Sequence, residues 1–283
     1  MNIPIVAGQF YKSEFAELEK EIEDCFHNKK GPGALPVKRS GKVVKGVLVP
    51  HAGYVYSGPC AAWAYKEIAE AKMPDRYVIL APDHNGNHAF PTTSKDAWDM
   101  PFGIVQPDTE FVNELIKNVD FIKEGNIREH AVEVQLPMLQ FASRDNLEKL
   151  KIVPLVVPTW DDYDKIAKAI AKIEGETSII ISSDFTHYGH AYGYKPFKYN
   201  VEASIAALDD KAISYIIDLD AEGFFAFKKK TQATICGAYP IMVGIEALKQ
   251  MGVENVRLLS YYTSSEISGD KENSVSYASI LFK

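Results

Sequence analysis

Gly46-Val47-Leu48-Val49-Pro50-His51-Ala52-Gly53-Tyr54 passes from an apolar run straight into a glycine-containing turn that carries a histidine. The pattern returns twice. Arg76 to Leu80 leads into Pro82-Asp83-His84, and Ser178 to Ser182 leads into Asp184 and His187. Such runs, apolar at consecutive positions, read as strands buried on both faces. Helical periodicity separates them, which predicts an α/β fold with a mainly parallel central sheet between two helical layers. In sheets of this kind ligands collect beyond the carboxyl ends of the strands. His51, His84, Asp184 and His187 are therefore predicted to meet at one rim.

Working outward, Ser13 to Asn28 reads as a helix capped by Ser13, with Phe15, Leu18, Ile22 and Cys25 or Phe26 at helical spacing, and Gly31-Pro32-Gly33 ends it. The first strand spans Val43 to Val49 and the next helix about Pro59 to Ala71. A loop-rich section follows as far as Asp108. Helices are expected from Asp108 to Asn118 and from Val132 to Ala142, with Pro137 kinking or delimiting the second. Lys151 to Val157 is a strand and Asp161 to Ile173 a helix. Residues 201–248 are helical in pattern, and Val256 to Thr263 and Val275 to Phe282 form edge strands or a hairpin joined through Ser268-Gly269-Asp270. With no internal repeat and no linker, one domain covering 1–283 is expected.

The chain has 283 residues, 46% hydrophobic and 24% charged, enough for a sizeable core. Its net charge of -7 argues against nucleic acid as a partner, because phosphate binding needs a concentrated basic surface. Lys228, Lys229 and Lys230 read as a solvated helix face. The three cysteines, Cys25, Cys60 and Cys236, include no Cys-x-x-Cys pair and fit a reducing compartment. No signal-like segment and no stretch approaching about 18 apolar residues is present, so a cytoplasmic protein is expected.

Cys236 precedes Pro240 and the series Ile241, Ile245 and Leu248, which places it near a helix N-terminus. There the helix dipole and any bound metal would favour the thiolate. Together with His51 and His84 it makes a His-His-Cys set able to hold a transition metal and leave positions open. Each residue has a plainer reading: His51 as a turn histidine beside Gly53, His84 as a cap in its turn, and Cys236 as a small buried residue. In Glu129-His130-Ala131-Val132-Glu133, His130 and Glu133 lie three apart and would pair on one helix face, or else simply start a helix. His27, His88 and His190 look peripheral. No Ser-His-Asp order, phosphate-binding glycine loop or His-Glu-x-x-His helix occurs.

Several ordered motifs resemble the Memo family, also called the AmmeMemoRadiSam system protein B family. They are Ala7-Gly8 with Phe10-Tyr11, Pro50 to Tyr54 with Ser57-Gly58, Pro82-Asp83-His84, Glu129-His130 with Glu133, Gln135-Leu136-Pro137, Ser183-Asp184-Phe185 with His187, and Cys236-Gly237 with Pro240. The match runs over nearly the whole chain. The resemblance implies a three-layer α/β/α sandwich with antiparallel edge strands, similar to the class III extradiol dioxygenases. It also implies metal ligation by His51, His84 and Cys236, with Asp184 and His187 beside them and His130 close by. Iron and copper are the metals associated with the family. Microbial members are linked to a radical S-adenosylmethionine protein and an AMMECR1-type protein, and animal members bind phosphotyrosine peptides in receptor-driven cell motility. In the dioxygenases a carboxylate completes the ligand set. A thiolate at that position, soft and itself oxidisable, argues against extradiol cleavage.

Three functional readings follow. One is a redox-active iron or copper protein in which Asp184 orients His187 or a ligand histidine, and His187 or His130 moves protons. The second is a zinc or iron(II) hydrolase, with Asp184 or His187 as base to a metal-bound water. The third is a non-catalytic module that binds a small molecule or phosphopeptide through the pocket.

Overall fold

A computed structural model describes residues 1–283. Its strands are β1 (Gly46–Val49), β2 (Arg76–Ala81), β3 (Thr92–Thr93), β4 (Trp98–Met100), β5 (Gly103–Pro107), β6 (Lys123–Glu124), β7 (Lys151–Val156), β8 (Thr177–Ser182), β9 (His187–Gly189), β10 (Val256–Thr263) and β11 (Asn273–Phe282). The helices are α1 (Phe15–His27), α2 (Tyr54–Glu70), α3 (Thr109–Asn118), α4 (His130–Glu133), α5 (Gln135–Ala142), α6 (Tyr163–Lys172), α7 (Val201–Ile217), α8 (Ala221–Thr231), α9 (Ala238–Gln250) and α10 (Ser265–Ser268).

Parallel pairing joins β1 to β8, β8 to β2 and β2 to β7. Antiparallel strands flank this centre, with β11 against β1 and β10 against β11 on one side and β3 against β7 on the other. Side chains of the central strands alternate between two cores. Val47, Val49, Ile79 and Ile180 pack with α1, α2 and α5, whereas Leu48, Val78, Leu80, Ile179 and Ile181 pack with α3, α6, α7, α8 and α9. Each core holds 36 buried residues, so the sheet is covered equally on both faces and the strands can be apolar throughout. No helix is long and apolar enough to cross a membrane.

Several boundaries depart from the sequence reading. The first strand starts at Gly46, with Val43 left exposed. The second helix starts at Tyr54, ahead of Pro59, which sits inside it at the cost of one main-chain bond. Pro137 delimits a helix as expected, one turn upstream, because it offers no N–H to the Glu133 carbonyl. The break falls at Val134, and Pro137 occupies the first turn of α5, where no intrahelical donor is needed. The first helix begins at Phe15 without a side-chain cap, so Ser13 does not play that part. β11 lies inside the sheet between β10 and β1, leaving β10 as the edge.

Candidate metal centre

Because β8 lies between β1 and β2, the carboxyl ends of three neighbouring parallel strands open on the same rim. Val49 is level with Ser182, and Leu80 with Ile181. His51, Asp184 and His84 follow these ends within a few residues. Cys236 arrives from the segment that enters α9. The main-chain N–H of Gly237 donates to Ser183 Oγ at 3.0 Å, and a β-carbon on Gly237 would lie 2.5 Å from that of Ser183. Glycine alone allows this approach. It brings the Cys236 sulfur to 3.2 Å from His51 Nε2 and 3.2 Å from the Asp184 main-chain N–H donor.

One ligating atom each from His51, His84 and Cys236 lies within 4.8 Å of the others. His84, Glu129 and His130 make a second group of the same compactness. Donors around a single ion, bonded at about 2.0–2.3 Å, stand roughly 3–4 Å apart, so the first set fits one ion with little movement. The outer imidazole nitrogens support that fit. His84 Nδ1 is 2.8 Å from Glu129 Oε1, while the other oxygen, Oε2, accepts from the His84 main-chain N–H at 2.8 Å. His51 Nδ1 is 2.9 Å from Ser182 Oγ. In both residues this engages Nδ1 and leaves Nε2 for an ion, the arrangement that orients metal-binding histidines.

Burial sets the charges here. His51 is buried, and desolvation together with His84, His130 and His187 pushes its pKa well below the usual value, so the ring is neutral. His130 falls to about 4, chiefly through desolvation and then the neighbouring His84. Burial raises the Asp184 carboxyl and, most strongly of all its influences, the Cys236 thiol. Glu129 is fully buried, and burial alone would raise it, but its bonds from His84 hold it below the ordinary carboxylate range. The thiolate expected from the helix N-terminus is therefore not the form favoured by the protein alone. Desolvation outweighs the hydrogen bonds from Asp184, Ser183 and Gly237, and a bound cation would favour ionisation.

Other predicted contacts are arranged differently. Asp184 Oδ1 accepts from the His51 main-chain N–H at 2.9 Å and orients no imidazole N–H. The ring of His187 is held instead by the carbonyl oxygens of Phe185 and Thr234, at 2.9 and 3.0 Å from Nδ1. Both are pure acceptors, so Nδ1 carries a proton. Glu133 does not pair with His130. It accepts from the main-chain N–H groups of Ile5 and Val6 and from the Tyr11 hydroxyl, at 2.7, 3.0 and 2.7 Å, while His130 Nδ1 lies 3.1 Å from Glu129 Oε1. Glu129 caps the start of the short α4 and Glu133 ends it, bound to the N-terminal segment.

A cavity of about 540 Å³ opens over the site, lined by His51, His84, His130, Asp184 and His187, with Tyr192 and Tyr277 among its walls. No lysine or arginine lines it. Glu129 and Ser182 are the functional side chains that sequence reasoning overlooked. A polar residue ending the apolar run Ser178 to Ser182 was the available signal for Ser182. Glu129 stood next to His130, but nothing local tied it to His84, 45 positions away.

A family model described as Memo-like protein matches residues 3–281. The chain is 37% identical over 292 residues to a MEMO1 family protein of Methanopyrus kandleri, covering 99% of this chain and 98% of that one. It is 38% identical over 289 residues to a MEMO1 family protein of Pyrobaculum aerophilum, at 99% and 98% coverage. Among solved structures, an uncharacterized protein, JW3007, from Escherichia coli K12 is similar in fold, with a TM-score of 0.54, 12% identity, and coverage of 85% of this chain and 100% of that one.

Proposed function

The chain belongs to the Memo family, and from that membership and the convergence of two imidazoles and a thiol we propose that it binds iron or copper through His51, His84 and Cys236 for redox chemistry on a small molecule. The observation that supports this most is the pair of imidazoles whose Nδ1 atoms are engaged by Glu129 and Ser182 while a sulfur stands beside the free Nε2 of His51. A thiolate in the set suits iron, copper or zinc over magnesium or calcium. When bound, the ion supplies Lewis acidity and, as iron or copper, one-electron exchange.

The chain's own groups divide the remaining work. Glu129 and Ser182 orient the two imidazoles. His187, with Nδ1 held by two carbonyl oxygens and its ring at the cavity wall, is the proton-transfer candidate. His130, neutral down to about pH 4, offers a hydrogen-bonding nitrogen without adding charge. Asp184 anchors the main chain of His51 and keeps a buried carboxyl at the site. Because no lysine or arginine lines the cavity, a phosphopeptide would have to be met by the bound cation. The radical S-adenosylmethionine and AMMECR1-type proteins are partners proposed on family association, to be tested by co-purification from the native cell.

The deciding experiment is elemental mass spectrometry on untagged protein purified without oxygen, for wild type, His51→Ala and Cys236→Ala. Near-stoichiometric iron or copper, lost in both variants, supports the proposal. Stoichiometric zinc would redirect it to hydrolysis, tested on esters, amides and phosphoesters. Wild type that holds no metal after reconstitution would overturn the ligand assignment and leave a binding pocket.

A further inference from the structure

We propose that Ser182 is a positioning residue that locks His51 in the Nδ1–H tautomer, with Gln135 and Tyr65 fixing the direction of every hydrogen bond behind it. The residues form a buried chain. Tyr65 Oη donates to Gln135 Oε1 at 2.8 Å, Gln135 Nε2 lies 3.0 Å from Pro50 O and 2.9 Å from Ser182 Oγ, and Ser182 Oγ is 2.7 Å from Ala131 O and 2.9 Å from His51 Nδ1. Tyr65, Gln135, Ser182 and His51 are all buried, so no solvent competes for these atoms.

The directions follow from which atoms can donate. The Pro50 carbonyl only accepts, so the nitrogen of the Gln135 amide must face it, and the same NH₂ donates to Ser182 Oγ. A serine hydroxyl has one hydrogen and two lone pairs. Ala131 O is an acceptor and takes the hydrogen, Gln135 fills one lone pair, and only one lone pair remains for His51. His51 Nδ1 must then be the donor, because a lone pair there would meet a lone pair at 2.9 Å. The ring proton is thus held on the far side, and Nε2 presents its lone pair toward the Cys236 sulfur 3.2 Å away.

The tautomer is a property of the metal-free protein and stands whether or not the site binds metal. Its consequence for affinity rests on the proposed function. Ser182 lies on β8, Gln135 on α5 and Tyr65 on α2, so two helices and the central strand together prepare a nitrogen that none of them carries.

The test is long-range proton–nitrogen NMR of metal-free protein labelled with ¹⁵N-histidine. Wild type is expected to show His51 unprotonated at Nε2, and wild type protonated there would overturn the proposal without touching the metal reading. Ser182→Ala removes the acceptor and should make the Nε2–H form detectable, with affinity for added iron(II) falling about 10- to 100-fold. Ser182→Thr returns a hydroxyl and should restore both. An unchanged tautomer in well-folded Ser182→Ala would also overturn the assignment. If that variant fails to fold, the wild-type spectrum still decides. Loss of metal binding in wild type with the predicted tautomer intact would count against the proposed function alone.

Discussion

Glu129 has no exposed surface and accepts from the His84 ring, the His84 main chain and the Ala131 main chain, so both its oxygens are committed. Glu129→Gln would set an NH₂ group against one of those donors. The His84 ring would loosen, and iron(II) affinity should drop about 10- to 100-fold in a competitive chelator titration, with the fold intact by circular dichroism. Burial raises the Cys236 thiol, so metal uptake should expel its proton. Apparent affinity should therefore rise by about tenfold per pH unit while this is the one group losing a proton, and a flat profile between pH 6 and 8 would contradict it. His130 gives the metal-free protein a second pH signature. The unfolded chain binds its proton near the ordinary value of about 6.5, the folded chain only near 4, so unfolding takes up a proton in between. Stability should fall as pH drops through that window, and His130→Gln should flatten the slope in urea melts.

At the scale of elements, the site depends on how closely α9 approaches β8. Gly237→Ala places a methyl group 2.5 Å from the Ser183 β-carbon and 2.7 Å from the Ser182 carbonyl oxygen. The loop must shift, costing about 1–3 kcal/mol and carrying Cys236 away from His51, so thermal stability and metal content should fall together. The other end of β2 provides the contrast. Asp108 caps α3 through the Phe111 N–H at 3.1 Å and holds Arg76 Nε at 2.7 Å. Burial alone would raise its carboxyl, yet Arg76 and the cap hold it below the usual range. This stabilisation is present above about pH 4 and is lost as pH falls through the lower folded value. Asp108→Ala should cost about 2–4 kcal/mol, for a lost cap and an uncompensated Arg76, and leave metal content unchanged, because Arg76 opens β2 and His84 follows its end.

Over the whole molecule, a buried acid, a main-chain hydrogen bond and a ring contact tie the N-terminal segment to the site. Glu133 gathers Ile5, Val6 and Tyr11, the Phe10 carbonyl accepts from the Tyr54 main-chain N–H at 2.7 Å, and the Phe10 ring meets His130 edge-on with centroids 5.3 Å apart. Glu133→Gln should raise amide exchange at Ile5 and Val6 and open the cavity beside His130, whereas protection equal to wild type would show the segment to be held by other contacts. The strands, their burial on both faces and the histidines at their ends were legible in the sequence because consecutive apolar residues and the turns after them are local signals. Helix starts inside turns, such as Tyr54, were not, since Pro59 carries the stronger local signal and tertiary contacts outweigh it. By itself the sequence determined a parallel sheet, its two helical coats and the chemical types at the rim. Only the tertiary structure decided that β8 lies between β1 and β2, that Glu129 serves His84 and Ser182 serves His51, and that burial raises the Cys236 thiol. Strand order, hydrogen-bond direction and desolvation are properties of groups far apart in the chain, and no local pattern encodes them.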